Sequence, residues 1–143
     1  MNSFSLDHVG WVTNNPKLFE SFWCVILGFK LIKTGELSRE LCMTLFSYPG
    51  SATAQRYAHP EWSTDIEIHI FNGPQAESDR YFEGHGINHI CFHTGGPGSR
   101  QLFLEQLPSS VVSYVYDNPA GWQNIFIRDF EMNWVELRET LNA

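Results

Sequence analysis

The chain carries an approximate internal repeat, and no other feature constrains its fold as strongly, because a duplicated unit has to bury the same apolar face twice. Leu6-Asp7-His8-Val9-Gly10-Trp11-Val12-Thr13 aligns with Ile87-Asn88-His89-Ile90-Cys91-Phe92-His93-Thr94, sharing the His and the closing Thr. Asp65-Ile66-Glu67-Ile68-His69 aligns with Trp134-Val135-Glu136-Leu137-Arg138, each a carboxylate between two branched apolar residues. The two offsets are 81 and 69 residues, so the second copy is shorter by about one loop. The halves run over residues 5–72 and 86–140, to within a few positions.

Between these landmarks each half reads strand, helix, then three strands. Asn15-Pro16 is a helix start with Pro at the first helical position, where its missing N–H is no loss. Leu18, Phe19, Phe22, Trp23, Ile26 and Leu27 follow at helical spacing, and Gly28 is the stop. Strands are expected over residues 30–36, 41–48 and 64–71, with a long loop at 49–63. In the second half a Gly-rich turn precedes a helix over 99–107, and strands are expected over 111–116, 123–128 and 133–139. The pattern predicts an α+β fold: two βαβββ modules forming a cupped eight-stranded mixed sheet, with the helices on its outer face. At 143 residues the chain suits one domain, given a usual domain size of roughly 150 residues.

Composition narrows the partners. Hydrophobic residues at 43% and charged residues at 17% lie far from the polar, highly charged composition of disorder. A net charge of −7 opposes any surface that must neutralise many phosphates, so nucleic acid is not an expected partner. Cys24, Cys42 and Cys91 form no C-x-x-C pair, as expected of reduced thiols in the cytoplasm. No stretch reaches the roughly 18 apolar residues needed to cross a bilayer, and the first thirty residues show no basic stretch followed by a long apolar run. Neither secretion nor a membrane is expected.

Side chains alternate across a strand, so each polar candidate can be tested by what lies opposite. Val9 and Trp11 lie opposite His8, and Ile66, Ile68 and Ile70 lie opposite Glu67 and His69. Ile90 and Phe92 lie opposite His89, Cys91 and His93, and Val135 and Leu137 lie opposite Glu136. Helices are expected to cover the apolar faces. The other face then carries His8, Glu67, His89 and Glu136, which become neighbours if the halves join into one curved sheet. Any one of them alone reads as a solvated polar residue on a half-buried sheet, but their repetition in both copies points to a ligand set. Two imidazoles and two carboxylates suit one divalent Ni, Zn, Co, Mn or Fe ion and do not choose among them. Four protein ligands on an octahedral ion leave two positions for water or for adjacent oxygens of a small-molecule substrate.

The stretches LDHVGWV, ILGFKLI, DIEIHIFNG, INHICFHT and IRDFEMNWVELRE together resemble the vicinal-oxygen-chelate, or glyoxalase/bleomycin-resistance/dioxygenase, superfamily, over residues 6–139. The resemblance places a four-ligand pattern on His8, Glu67, His89 and Glu136, as in its glyoxalase I branch. It implies a metal-dependent lyase or isomerase acting by proton transfer, a homodimer, and a metal-bound Glu, Glu67 or Glu136, that moves the proton. An Fe(II) extradiol-type dioxygenase and a non-catalytic small-molecule binder are the alternatives; the first needs only two His and one Glu, and the second has lost the ligands. Val12 stands where glutathione-using members carry an Arg, which argues against lactoylglutathione as substrate. Met132 replaces the Gly of the family's turn before the last strand, so that turn is expected to be built differently.

Other residues complete the expectations. His69 and His93 share the ligand face, as candidate general bases or wall residues. Arg56, Tyr57 and His59 fall in the expected long loop, where Arg56 is a candidate to hold an anionic group of the substrate. Trp122 and Phe126 are candidates for the cavity opening, and Cys91 reads as a small buried filler.

Overall fold

In the computed structural model, which describes residues 6–73, 87, 89–117 and 123–139, the chain forms two units, Met1–Glu77 and Ser78–Ala143. The first contains β1 (His8–Val12), α1 (Pro16–Trp23), β2 (Lys30–Leu37), α2 (Arg39–Phe46), β3 (Ala52–Ala58) and β4 (Asp65–Phe71). The second contains β5 (His89–His93), α3 (Ser99–Gln106), β6 (Ser113–Asp117), β7 (Gln123–Arg128) and β8 (Trp134–Arg138).

Both units have the same topology. Their four-stranded sheets are ordered β1-β4-β3-β2 and β5-β8-β7-β6, and in each the first pair is parallel while the others are antiparallel. The register repeats as well: Gly10 pairs with Glu67 and Val12 with His69, while Cys91 pairs with Glu136 and His93 with Arg138. Even the closing threonines agree. Thr13 N donates to the His69 carbonyl at 3.2 Å and Thr94 N to the Arg138 carbonyl at 2.8 Å. The duplication visible in the sequence is thus a duplication of hydrogen-bond pattern.

In the first unit α1 begins as its sequence dictates, with Asn15 Oδ1 accepting from Leu18 N at 3.3 Å and Pro16 at the first position. It ends at Trp23, and the chain turns through residues 24–27 to Gly28, whose φ of 82° is the left-handed conformation that ends many helices. Phe19, Phe22 and Trp23 of α1 are buried, together with Phe29 and Tyr57. Trp23 packs edge-on against Trp11 of β1 at 5.3 Å, and Phe19 lies 5.0 Å from the Tyr57 ring of β3. The helix therefore covers the apolar face of this sheet, opposite His8 and Glu67. In the second unit Ile125, Ile127, Val135 and Leu137 are buried.

Two expectations fail in the first unit. Residues 41–48 were expected as a strand, yet Arg39–Phe46 is the helix α2. Ser38 Oγ accepts from Leu41 N at 3.2 Å, and Ser47 closes the helix in the left-handed region with φ of 54°. Leu41, Met43 and Leu45 alternate like a strand, but all three are exposed, so this alternation is not a core-facing pattern. The expected loop at 49–63 instead contains β3, with Arg56 and Tyr57 inside the strand and His59 just beyond it. The first half is thus strand, helix, strand, helix, strand, strand, and α2 accounts for the extra length of this copy.

Candidate metal and substrate site

The parallel pairing of β1 with β4 sets His8 beside Glu67, with His8 Nε2 3.9 Å from Glu67 Oε1. His69, two residues along β4 on the same face, bonds that oxygen through Nε2 at 3.0 Å. Phe46 of α2 lies 5.3 Å from the His69 ring, and Phe71 lies 6.3 Å from it. The helix missed in the sequence therefore borders the polar face. Behind His8, Asp7 Oδ2 accepts from His8 Nδ1 at 2.8 Å and from Arg56 Nη2 at 2.7 Å, while Arg56 Nε donates to Asp65 Oδ2 at 2.7 Å. These bonds, from His8 first and then Arg56, hold the Asp7 carboxyl below its ordinary value. The Arg56 guanidinium expected to meet a substrate is occupied by two aspartates.

The second unit repeats the pair more tightly. His89 Nε2 is 3.1 Å from Glu136 Oε2, and Arg138 Nε donates to Glu136 Oε1 at 3.0 Å. The Glu136 side chain is only 6% exposed, against 25% for Glu67. Burial pushes the Glu136 carboxyl up, but bonds from Arg138 and Cys91 and the charges of Arg138 and His89 outweigh it, so it lies below its ordinary value. Cys91 is exposed, which corrects the expectation of a buried filler: its thiol donates to Glu136. Partial desolvation and that carboxylate push the thiol up to about 11.

His93 is exposed and pairs in register with Arg138. His59 serves packing, its ring lying 5.3 Å from Phe29 and 4.7 Å from Trp62. Trp122 lies outside the described residues. A cleft of about 520 Å³ beside the second pair is lined by His89, Tyr114, Tyr116, Phe126, Glu136 and Arg138, among others. Phe126 lies on this wall as expected, whereas the two tyrosines on β6 were not foreseen. Their alternation in Ser113–Asp117 was the available signal.

The turn before β8 also differs from expectation. Met132 adopts φ of 68°, so the left-handed geometry persists without the glycine that makes it easy. Buried Asp129 holds it: Oδ1 accepts from Glu131 N at 3.0 Å and Asn133 N at 2.8 Å, and Oδ2 from Asn133 Nδ2 at 2.7 Å.

The donor chemistry fits a divalent ion. The 3.1 Å between His89 Nε2 and Glu136 Oε2 is the spacing of two neighbouring ligand atoms, each about 2.1 Å from one ion at roughly a right angle. Among the described residues no group of three or more His, Cys, Asp or Glu is arranged to hold a metal, so each half displays a His–Glu pair rather than a finished site.

No family model and no curated protein matches the sequence, but solved structures match the fold. A glyoxalase family protein from Bacillus cereus aligns with TM-score 0.75 at 15% identity, covering 99% of this chain and 97% of that one. The glyoxylase/bleomycin resistance protein/dioxygenase domain from Frankia sp. aligns with TM-score 0.70 at 13% identity, covering 96% and 98%. The trypanothione-dependent glyoxalase I of Leishmania major aligns with TM-score 0.67 at 17% identity, covering 96% and 87%. The fold is that of the glyoxalase/bleomycin-resistance/dioxygenase proteins, built here from two modules of matching register. No helix among the described residues is long and apolar enough to cross a membrane.

Proposed function

We propose that this chain is a divalent-metal-dependent lyase or isomerase of the glyoxalase type, moving a proton on a small substrate that carries two neighbouring oxygens. The supporting observation is the repeated register, which sets a His beside a Glu on equivalent strands of both halves. His8, Glu67, His89 and Glu136 are the proposed ligands of one Ni, Zn, Co, Mn or Fe ion. When bound, the metal supplies Lewis-acid polarisation of the substrate oxygens.

The chain's own residues divide the remaining work. Glu136 is nearly buried and clamped by Arg138, so its role is to hold. Glu67 is bonded by an imidazole and is assigned the proton transfer, with His69 as the group that exchanges the proton onward. Tyr114, Tyr116 and Phe126 give the cleft a largely aromatic wall, which suits the planar or apolar part of a neutral substrate. His93 is given no proton step, and a homodimer is the proposed assembly.

Elemental analysis of protein purified without a metal-affinity tag tests the reading. About one divalent ion per chain is expected, lost in His8→Ala and in His89→Ala. A native protein that holds no metal even after reconstitution overturns it. Exchange of the C–H beside a carbonyl in D₂O, followed by NMR across α-hydroxycarbonyl compounds and lost in Glu67→Gln, tests the proton step.

A further inference from the structure

Arg56 stands directly across the strand pair from Glu67, the position from which an arginine would be expected to neutralise that carboxylate. Its ion pairs go instead to Asp65 and Asp7, both at 2.7 Å. Asp65 is itself the register partner of His8, and its backbone N donates to the Asp7 carbonyl at 3.1 Å. Arg56 Nη2 also reaches that carbonyl at 3.4 Å. Asp7 is thus tied to β3 and β4 through its backbone and through its side chain. Its Oδ2 receives both Arg56 and His8 Nδ1. A carboxylate in an ion pair only accepts, so His8 Nδ1 must be the protonated nitrogen. In the neutral ring the other nitrogen then carries the lone pair, and it is Nε2 that faces Glu67.

We propose that Asp7, braced by Arg56 and Asp65, is a positioning residue for His8: it selects the Nδ1-protonated tautomer, fixes the ring plane and leaves Nε2 as the donor atom. The inference rests on the reading of His8 as a metal ligand. A carboxylate behind a ligating imidazole raises its basicity and fixes its orientation. The two aspartates do a second thing, since by engaging Arg56 they keep its guanidinium off Glu67.

Two readouts on the full chain decide this. The ¹⁵N shifts of the His8 ring are measured in metal-free protein near pH 8, above the range in which imidazoles usually protonate, for the parent, Asp7→Ala and Arg56→Gln. The same proteins and His8→Ala are titrated with Ni²⁺. The expected result is a pyrrole-type Nδ1 in the parent, a shift toward the Nε2-protonated form in Asp7→Ala, and Ni²⁺ affinity about 10- to 100-fold weaker in Asp7→Ala, with a smaller loss in Arg56→Gln. A parent His8 protonated on Nε2 overturns the proposal. So does an Asp7→Ala protein that binds Ni²⁺ as tightly as the parent while His8→Ala has lost it, and the metal reading then stands. If no protein binds Ni²⁺ but the tautomer still follows Asp7, the positioning role stands and the metal reading falls.

Discussion

His69 and Arg138 occupy equivalent positions in the two halves, each reaching back two residues along its own strand to bond a glutamate at 3.0 Å. The geometry is conserved between the copies, but the chemistry is not. The partner of Glu67 is an imidazole, whereas the partner of Glu136 is a guanidinium, which stays charged. Duplication has produced one glutamate beside an imidazole and one beside a fixed positive charge.

The fixed pair makes a prediction about acid stability. The Glu136 carboxyl is held below its ordinary value of 4.5. Its contribution is therefore present above that value and lost as pH falls through the lower folded one. Urea unfolding of metal-free protein between pH 3 and 7 should show an acid loss of stability that is shallower in Glu136→Gln. Arg138→Gln should cost only about 1 kcal/mol at pH 7, because Arg138 is half exposed and solvent screens the pair.

Cys91 is exposed, yet its thiol lies up at about 11, so it should react slowly with a disulfide reagent at pH 7.5. Glu136→Gln removes the carboxylate that accepts its proton and should speed the reaction several-fold under native conditions. An equal rate in parent and variant would mean that the carboxylate has no hold on the thiol.

Met132 carries a left-handed backbone that costs a non-glycine residue about 1–2 kcal/mol. Met132→Gly relieves that strain but adds freedom to the unfolded chain. The net gain should be about 1 kcal/mol, read as a rise in Tm of roughly 2–4 °C. Asp129→Ala should act in the opposite direction, since it strips the turn of its three side-chain bonds.

Trp23 is fully buried between Trp11, Phe19, Phe22 and Phe29, with ring centroids 5.3–5.8 Å away. Trp23→Ala should destabilise by about 3–5 kcal/mol, seen as a lower urea midpoint. An unchanged midpoint would mean that the helix is not held by this ring.

The parts of the molecule legible in sequence were those written as spacing. The Asn15-Pro16 start, the aligned histidines and the alternation around Glu67 and Glu136 each impose a local pattern that survives folding. The helix α2 was not legible, because Leu41, Met43 and Leu45 stay exposed and Cys42 is its only buried residue. With no apolar stripe to read, Ser38 as a cap was the one signal. Strand β3 was equally obscure, since Ala-Thr-Ala-Gln-Arg-Tyr-Ala buries only Ala52 and Tyr57. The pairs Arg56–Asp7 and Glu136–Arg138 depend on side-chain reach, which alternation alone does not encode. The first engages with two aspartates a guanidinium that the sequence offered to a substrate.

The inserted helix also has a kinetic consequence. Strands β2 and β3 are separated by residues 38–51, whereas β6 and β7 are separated only by residues 118–122. Closing the longer segment costs roughly 0.9 kcal/mol more in chain entropy, before α2 returns anything through its own hydrogen bonds. The two copies should therefore not zip up together. The β6–β7 hairpin is positioned to form early, while the β2–β3 pair waits on a helix that buries little of its own surface.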